Sequence, residues 1–145
     1  LSITIHPKPG QVLLCDFSQG FRKPEMVKSK RPVIILTSQL KNRAELVTVV
    51  PLSTVKPRPA MPYHYMLPKN CMPQIGMFQE RDSWIKGDMI YTVGFHRLNL
   101  IQLGKRDSVT GKRLYYKNRL SRERMKEIYA SVLHGLNLGM LTRHL

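Results

Sequence analysis

Lys30-Arg31-Pro32-Val33-Ile34-Ile35-Leu36-Thr37-Ser38 runs two cations and a proline straight into four consecutive apolar residues and ends on two hydroxyls. The apolar run is short, rich in β-branched side chains and bounded by polar residues, which describes a buried central strand better than a helix. Pro32 then belongs at the strand's first residue, where a missing N–H costs least. Arg31 is thereby expected at the lip of a sheet, its base held by buried backbone and its tip turned to solvent or ligand. A second segment of the same kind, Leu46-Val47-Thr48-Val49-Val50-Pro51-Leu52-Ser53-Thr54, follows a short polar connection and brings two hydroxyls to a strand end. If the two strands are antiparallel neighbours, the start of the first and the end of the second share one edge of the sheet. An arginine beside a hydroxyl suits a phosphate.

The whole chain bounds what that edge can be used for. Its 145 residues suit one domain, 1–145, with a core of ordinary size. The unusual quantity is the charge balance, 24 Lys and Arg against 9 Asp and Glu, a net +15. Such a surplus speaks about partners and not about fold, and it points to polyanions. No apolar run approaches the roughly 20 residues of a spanning helix, and Leu1 to Ile5 is too short for a signal segment, so no membrane role is expected. Cys15 and Cys71 stand far apart with no partner at metal-ligand spacing, and read as reduced thiols of a cytoplasmic protein. Neither a metal nor a cofactor is expected.

In chain order, Gln11 to Phe17 is expected as a strand with Leu13, Cys15 and Phe17 on one face. Ser18 to Lys30 is a long basic connection carrying Arg22, Lys23, Lys28 and Lys30, of the kind that is functional or mobile. Prolines between Val55 and Pro62 favour an irregular path past Lys56 and Arg58. Tyr63 to Leu67 alternates, and Trp84 to Phe95 reads as the longest strand, with Gly87 and Gly94 as bulges or points of close backbone approach. Gly104 to Tyr116 reads as a hairpin about Asp107 to Gly111 with cations on both sides. Ser121 caps a final helix whose stripe is Met125, Ile128, Tyr129, Val132, Leu133 and Leu136, stopped by Asn137 and Gly139. The expected class is mostly β, a small curved sheet or barrel closed by a C-terminal helix.

Gly10, Asp16-Phe17, Arg31-Pro32 and Val50-Pro51-Leu52-Ser53 together resemble the PemK/MazF family of toxins from bacterial toxin-antitoxin systems. The match covers Gly10 to Thr54 well and Trp84 to Leu98 more loosely. The resemblance implies an SH3-like or CcdB-like β-barrel with a C-terminal helix. It implies a metal-independent endoribonuclease that cuts single-stranded RNA at short sequences, acts as a homodimer and is inhibited by an acidic antitoxin. The family's catalytic arginine corresponds to Arg31. Its hydroxyl partner, usually Thr, corresponds to Ser53, with Thr54 adjacent as a substitute. Segments 55–83 and 104–119 exceed the compact family members and read as insertions.

The chemistry suits these residues without the family. RNA supplies its own nucleophile, the 2′-hydroxyl, so cleavage needs in-line geometry, a proton acceptor and stabilisation of charge on the phosphoryl oxygens. Arg31 offers fixed donors to those oxygens, and Ser53 can donate to the same group. The sequence names no base. Binding is expected from Arg22, Lys23, Lys28, Lys30, Lys56 and Arg58 on phosphates, with an exposed aromatic, Phe21 of the basic loop in preference to Tyr63, to stack on a base. Two other readings fit the same residues: a barrel that grips nucleic acid without cutting it, and an inhibitor of a protein target of the related gyrase-toxin type.

Overall fold

A computed structural model describes residues 2–145, the side chain of Met77 apart. The strand that opens with Arg31 is its centre. β1 (Val12–Cys15), β2 (Arg31–Ile35) and β3 (Leu46–Ser53) pair as successive antiparallel neighbours. β4 (His64–Leu67), β5 (Ser83–Lys86), β6 (Tyr91–Gly94) and β7 (Leu98–Asn99) extend them. The order across the sheet is β4-β5-β3-β2-β1-β7, and β6 also pairs with β3.

Burial explains why the sequence around Val33 shows no alternation. Val12, Ile34, Val50 and Leu52 point to one face, where they meet Leu67, Ile85, Ile101 and the C-terminal helix. Leu13, Cys15, Phe17, Val33, Ile35, Val47 and Val49 fill the other face together with Val93 and Leu98. Both faces are covered, so Val33, Ile34 and Ile35 each have no exposed surface, and a strand buried on both sides reads as a continuous apolar run. Burying each such side chain is worth about 1.5–3 kcal/mol, which fixes the register of β2.

The sheet is curved but not closed into the expected barrel. Its class, mostly antiparallel sheet with a C-terminal helix, is the one expected. The stretch from Trp84 to Phe95 is two strands and not one. β3 is long enough to need two partners on the same edge: Leu46 to Val49 pair with β6, while Leu52 and Ser53 pair with β5. Between them the chain turns at Gly87 and Asp88, where the Met89 N–H donates to the Lys86 carbonyl at 2.9 Å. The polar Asp88 marks that break.

A four-residue helix, α1 (Met77–Glu80), precedes β5. β8 (Gln102–Arg106) and β9 (Arg113–Tyr115) form the expected hairpin as a separate ribbon. α2 (Arg122–Gly135) starts at Ser121, whose Oγ accepts from the Arg124 N–H at 3.2 Å. Met125, Ile128, Ser131 and Val132 are its buried face. It stops at Asn137 as expected: Asn137 takes the left-handed conformation, its N–H donating to the His134 carbonyl at 3.0 Å and the Leu138 N–H to the Leu133 carbonyl at 2.8 Å, and Gly139–His144 continue as a 3-10 turn. Leu136 therefore lies beyond the helix and is 52% exposed.

Two glycines set how closely α2 approaches the sheet. A Cβ at Gly87 would overlap the Ser131 carbonyl, and one at Gly135 would sit 2.5 Å from the Gly87 carbonyl oxygen. The close approach expected at Gly87 is thus a backbone-to-backbone contact between the β5–β6 turn and α2. Gly87→Ala is expected to lower the free energy of unfolding by about 1–3 kcal/mol, as overpacking does. Urea titration checks this, and unchanged stability would show that the contact does not hold the helix.

Candidate active site

The site starts from strand register. β2 and β3 align Ile35 with Val49, Ile34 with Val50 and Val33 with Pro51. Two further residues of the same register set Arg31 opposite Ser53, and directly opposed side chains on one face have Cβ atoms about 4.5–5.5 Å apart. The cation and the hydroxyl thus meet at one sheet edge. Arg31 Nη1 donates to the Leu52 carbonyl at 3.3 Å, which holds the guanidinium along β3. Its Nε is buried and, among the described residues, has no hydrogen-bond partner.

On its other side Arg31 pairs with Cys15 in the β1–β2 register. Burial pushes the Cys15 thiol up to about 12, so it is neutral and gives Arg31 no counter-charge. Burial also lowers the pKa of Arg31, although a guanidinium keeps its proton in proteins. A partly buried cation with unused donors is chemically suited to an anion.

A cleft of about 310 Å³ opens in front of it. Lys28, Lys30, Arg31, Ser53 and Thr54 line it, joined by Phe78 and Ser83. Ser53 Oγ accepts from the Val55 N–H at 3.1 Å, a bond that turns the chain and leaves the hydroxyl proton free to donate. Of the residues named from sequence, Arg31, Ser53, Thr54, Lys28 and Lys30 are thus brought together. Arg22, Lys23, Lys56 and Arg58 are exposed and lie outside the cleft wall.

Phe21 is placed differently from expectation. It packs edge-on against Phe17, centroids 5.3 Å apart, and against Tyr91 at 5.5 Å, with the Arg97 guanidinium 4.8 Å over its ring. The loop folds back on the second core face, so the ring is packed where a stacking platform would stand free. Arg97 Nη1 also donates to the Asp16 carbonyl at 3.0 Å, and Tyr91 Oη accepts from the Met26 N–H at 3.1 Å. At the loop's start, Asp16 Oδ1 accepts from both the Ser18 N–H and its hydroxyl, which holds the carboxyl below its usual range. The Phe17 N–H donates to the Lys28 carbonyl at 2.8 Å, closing the loop beside the cleft. The basic connection is therefore anchored at both ends, and Lys28 and Lys30 reach the cleft from a held backbone.

Phe78 and Ser83 were not read as site residues. The segment 55–83 carries them to the cleft, through α1 and the start of β5. The one local signal is the short apolar group Ile75, Met77 and Phe78 ahead of the polar run Gln79 to Asp82.

Residues 8–135 match the family model of PemK-like, MazF-like toxins of type II toxin-antitoxin systems. The chain belongs to the PemK/MazF toxin family. A protein of Haemophilus influenzae whose function is uncharacterised is 33% identical over 109 residues, covering 68% of this chain and 73% of that one. Among solved structures, the toxin shares its fold with MazF from Deinococcus radiodurans (TM-score 0.61, 12% identity, 92% of this chain and 99% of that one). A mycobacterial endoribonuclease solved in complex with its cognate antitoxin gives a TM-score of 0.57 at 21% identity, covering 91% of this chain and 96% of that one.

The buried thiol beside Arg31 gives the toxin a defined alkaline limb. Its pKa in the folded chain is about 12 against 9.0 ordinarily. The fold favours the protonated thiol, so its contribution is fully present below about pH 9 and is lost as pH rises toward 12. Between about pH 8 and about pH 10.5, urea midpoints of the wild type are expected to fall more steeply than those of Cys15→Ala. Parallel slopes would show that the thiol ionises as readily folded as unfolded.

Proposed function

We propose that the Arg31 cleft cleaves single-stranded RNA. The observation that carries this reading is a partly buried arginine without a counter-charge from its strand neighbours, its Nε free, set opposite a serine hydroxyl at the mouth of a cleft that two lysines flank. A phosphodiester seated there would take hydrogen bonds from the remaining Nη donors of Arg31 and from Ser53 through Oγ, with Lys28 and Lys30 on adjacent phosphates. The RNA 2′-hydroxyl then attacks phosphorus, its proton passing to a base, and the 5′-oxygen leaves with a proton. The products are a 2′,3′-cyclic phosphate and a 5′-hydroxyl end.

Arg31 stabilises the charge that grows on the non-bridging oxygens. A guanidinium is a poor base, because its pKa exceeds 12, so proton removal falls to another group. No metal is required in this scheme. Membership of the toxin family supports the reading, as does the fold shared with an endoribonuclease solved with its antitoxin. By the same likeness, an acidic antitoxin would compete with RNA for the basic cleft in the cytoplasm, and the working form would be a homodimer. The exposed Leu136, Leu138, Met140 and Leu141 beyond α2 offer a surface for such assembly.

The test is a mixed single-stranded RNA incubated with the protein in EDTA, with product ends identified by sequencing. The wild type is expected to cut at a recurring short motif and leave 5′-hydroxyl ends. Arg31→Ala should slow cleavage by about 10²- to 10³-fold, the usual cost of losing one charge-directed donor. Binding without cutting by the wild type, or undiminished cutting by a folded Arg31→Ala variant, would overturn the assignment.

A further inference from the structure

The β8–β9 ribbon carries a feature that its own folding does not require. Its register sets Arg106 directly opposite Arg113. Like charges facing each other across an antiparallel pair are destabilising unless something lies between them. The ribbon's own carboxylate, Asp107, is occupied: Oδ1 accepts from the Val109 and Thr110 N–H groups at 2.8 and 2.9 Å and shapes the turn. Those bonds hold it ionised, below its usual range, but they face the turn. Arg106 gives one donor, Nη1, to the Gly111 carbonyl at 3.0 Å, which leaves most of its five N–H groups free.

These cations converge on a concavity. A pocket of about 200 Å³ is lined by Gln102, Gly104, Lys105, Arg106, Arg113 and Leu114. Three cations and an amide around a small polar hollow, two of them opposed across the ribbon, suit a tetrahedral dianion or monoanion held by several charge-assisted bonds.

The ribbon is also joined to the cleft wall. At its base the Tyr116 N–H donates to the Ile101 carbonyl at 2.9 Å. Ile101 and Tyr116 pack in the same cluster as Met72, Ile75 and Phe78, and Phe78 lines the Arg31 cleft. The ribbon's base and one wall of the Arg31 cleft thus pack in the same cluster.

We propose that the pocket between Lys105, Arg106 and Arg113 is a second phosphate seat for the RNA strand, gripping its backbone away from the bond that is cut. This rests on the RNA reading of the Arg31 cleft. The seat reads no bases. It adds affinity equally for every sequence, while selection of the cut motif stays with the cleft.

The experiment is binding of a fluorescent single-stranded 2′-O-methyl RNA, which lacks the nucleophile, across a salt series. Wild type, the double variant Arg106→Gln with Arg113→Gln, and Lys105→Gln are compared. For single strands, log affinity falls with log salt by about 0.7 for each phosphate contacted. The double variant is expected to bind more weakly for all sequences tested, with a slope shallower by about 1.4 if each arginine holds one phosphate and about 0.7 if they share one. Lys105→Gln, which leaves the Gly111 bond intact, should flatten it by at most about 0.7. The double variant removes the Arg106 bond to Gly111 together with a like-charge pair, so its fold is compared with wild type by circular dichroism.

Equal slopes and affinities for all three proteins would overturn the seat while leaving the cleft reading in place. No RNA binding by the wild type would overturn both. With a fluorescent DNA duplex run alongside, loss of duplex binding in the double variant with RNA binding intact would assign the ribbon to DNA and overturn the RNA proposal.

Discussion

The antiparallel register between β2 and β3 is the constraint on which the rest of the molecule depends. It is set by apolar burial on both faces, with Val33, Ile34 and Ile35 alternating between two clusters. Slipping it by one residue would exchange those faces. The same register leaves Arg31 opposite Ser53, two residue pairs beyond Val33 and Pro51, the last buried pair of the ladder. The core therefore determines, at atomic precision, where a charged group and a hydroxyl meet. Few other ways exist to hold an arginine at a site without giving it a carboxylate partner.

That missing partner has a cost, and the surrounding chain shows how it is carried. On one side stands Cys15, neutral because it is buried. On the other, the Leu52 carbonyl takes one guanidinium donor and orients the rest. Lys28 and Lys30 add positive charge to the same cleft and no negative charge, which raises the cost in the free protein and the gain when an anion enters. The arrangement favours binding of a phosphate, and above all of a phosphate whose negative charge is increasing. A packed aromatic group formed by Phe17, Phe21 and Tyr91 anchors the basic loop, so these charges sit on a held backbone.

The centre of this design was legible in the sequence because its signals are local. A β-branched run with a proline at its head names a strand, and the cation before the proline and the hydroxyls after the next run name its edge. The helix cap at Ser121 and the hairpin turn at Asp107 were legible for the same reason. What escaped was decided by distant partners. Phe21 looked stranded in a basic loop because Tyr91 and Arg97, which receive it, lie some 70 residues on. The stretch from Trp84 to Phe95 reads as one strand until β3 is seen to be long enough for two partners. Phe78 gives no sign, within its own short segment, that it reaches the cleft. Closure of the sheet into a barrel was likewise a property of how distant edges meet, and the edges here stay apart.

The most direct test of the phosphate site at Arg31 is the behaviour of its Nε–H. In a nitrogen-15 spectrum of arginine side chains, with the Arg31 signal identified by its loss in Arg31→Lys, the protein is titrated with short 2′-O-methyl RNA. The Arg31 Nε–H resonance is expected to move as a phosphate joins the Nη end of the same guanidinium, while that of Arg97, held over Phe21, stays in place. RNA binding that shifts other signals and leaves Arg31 unchanged would contradict a phosphate site there.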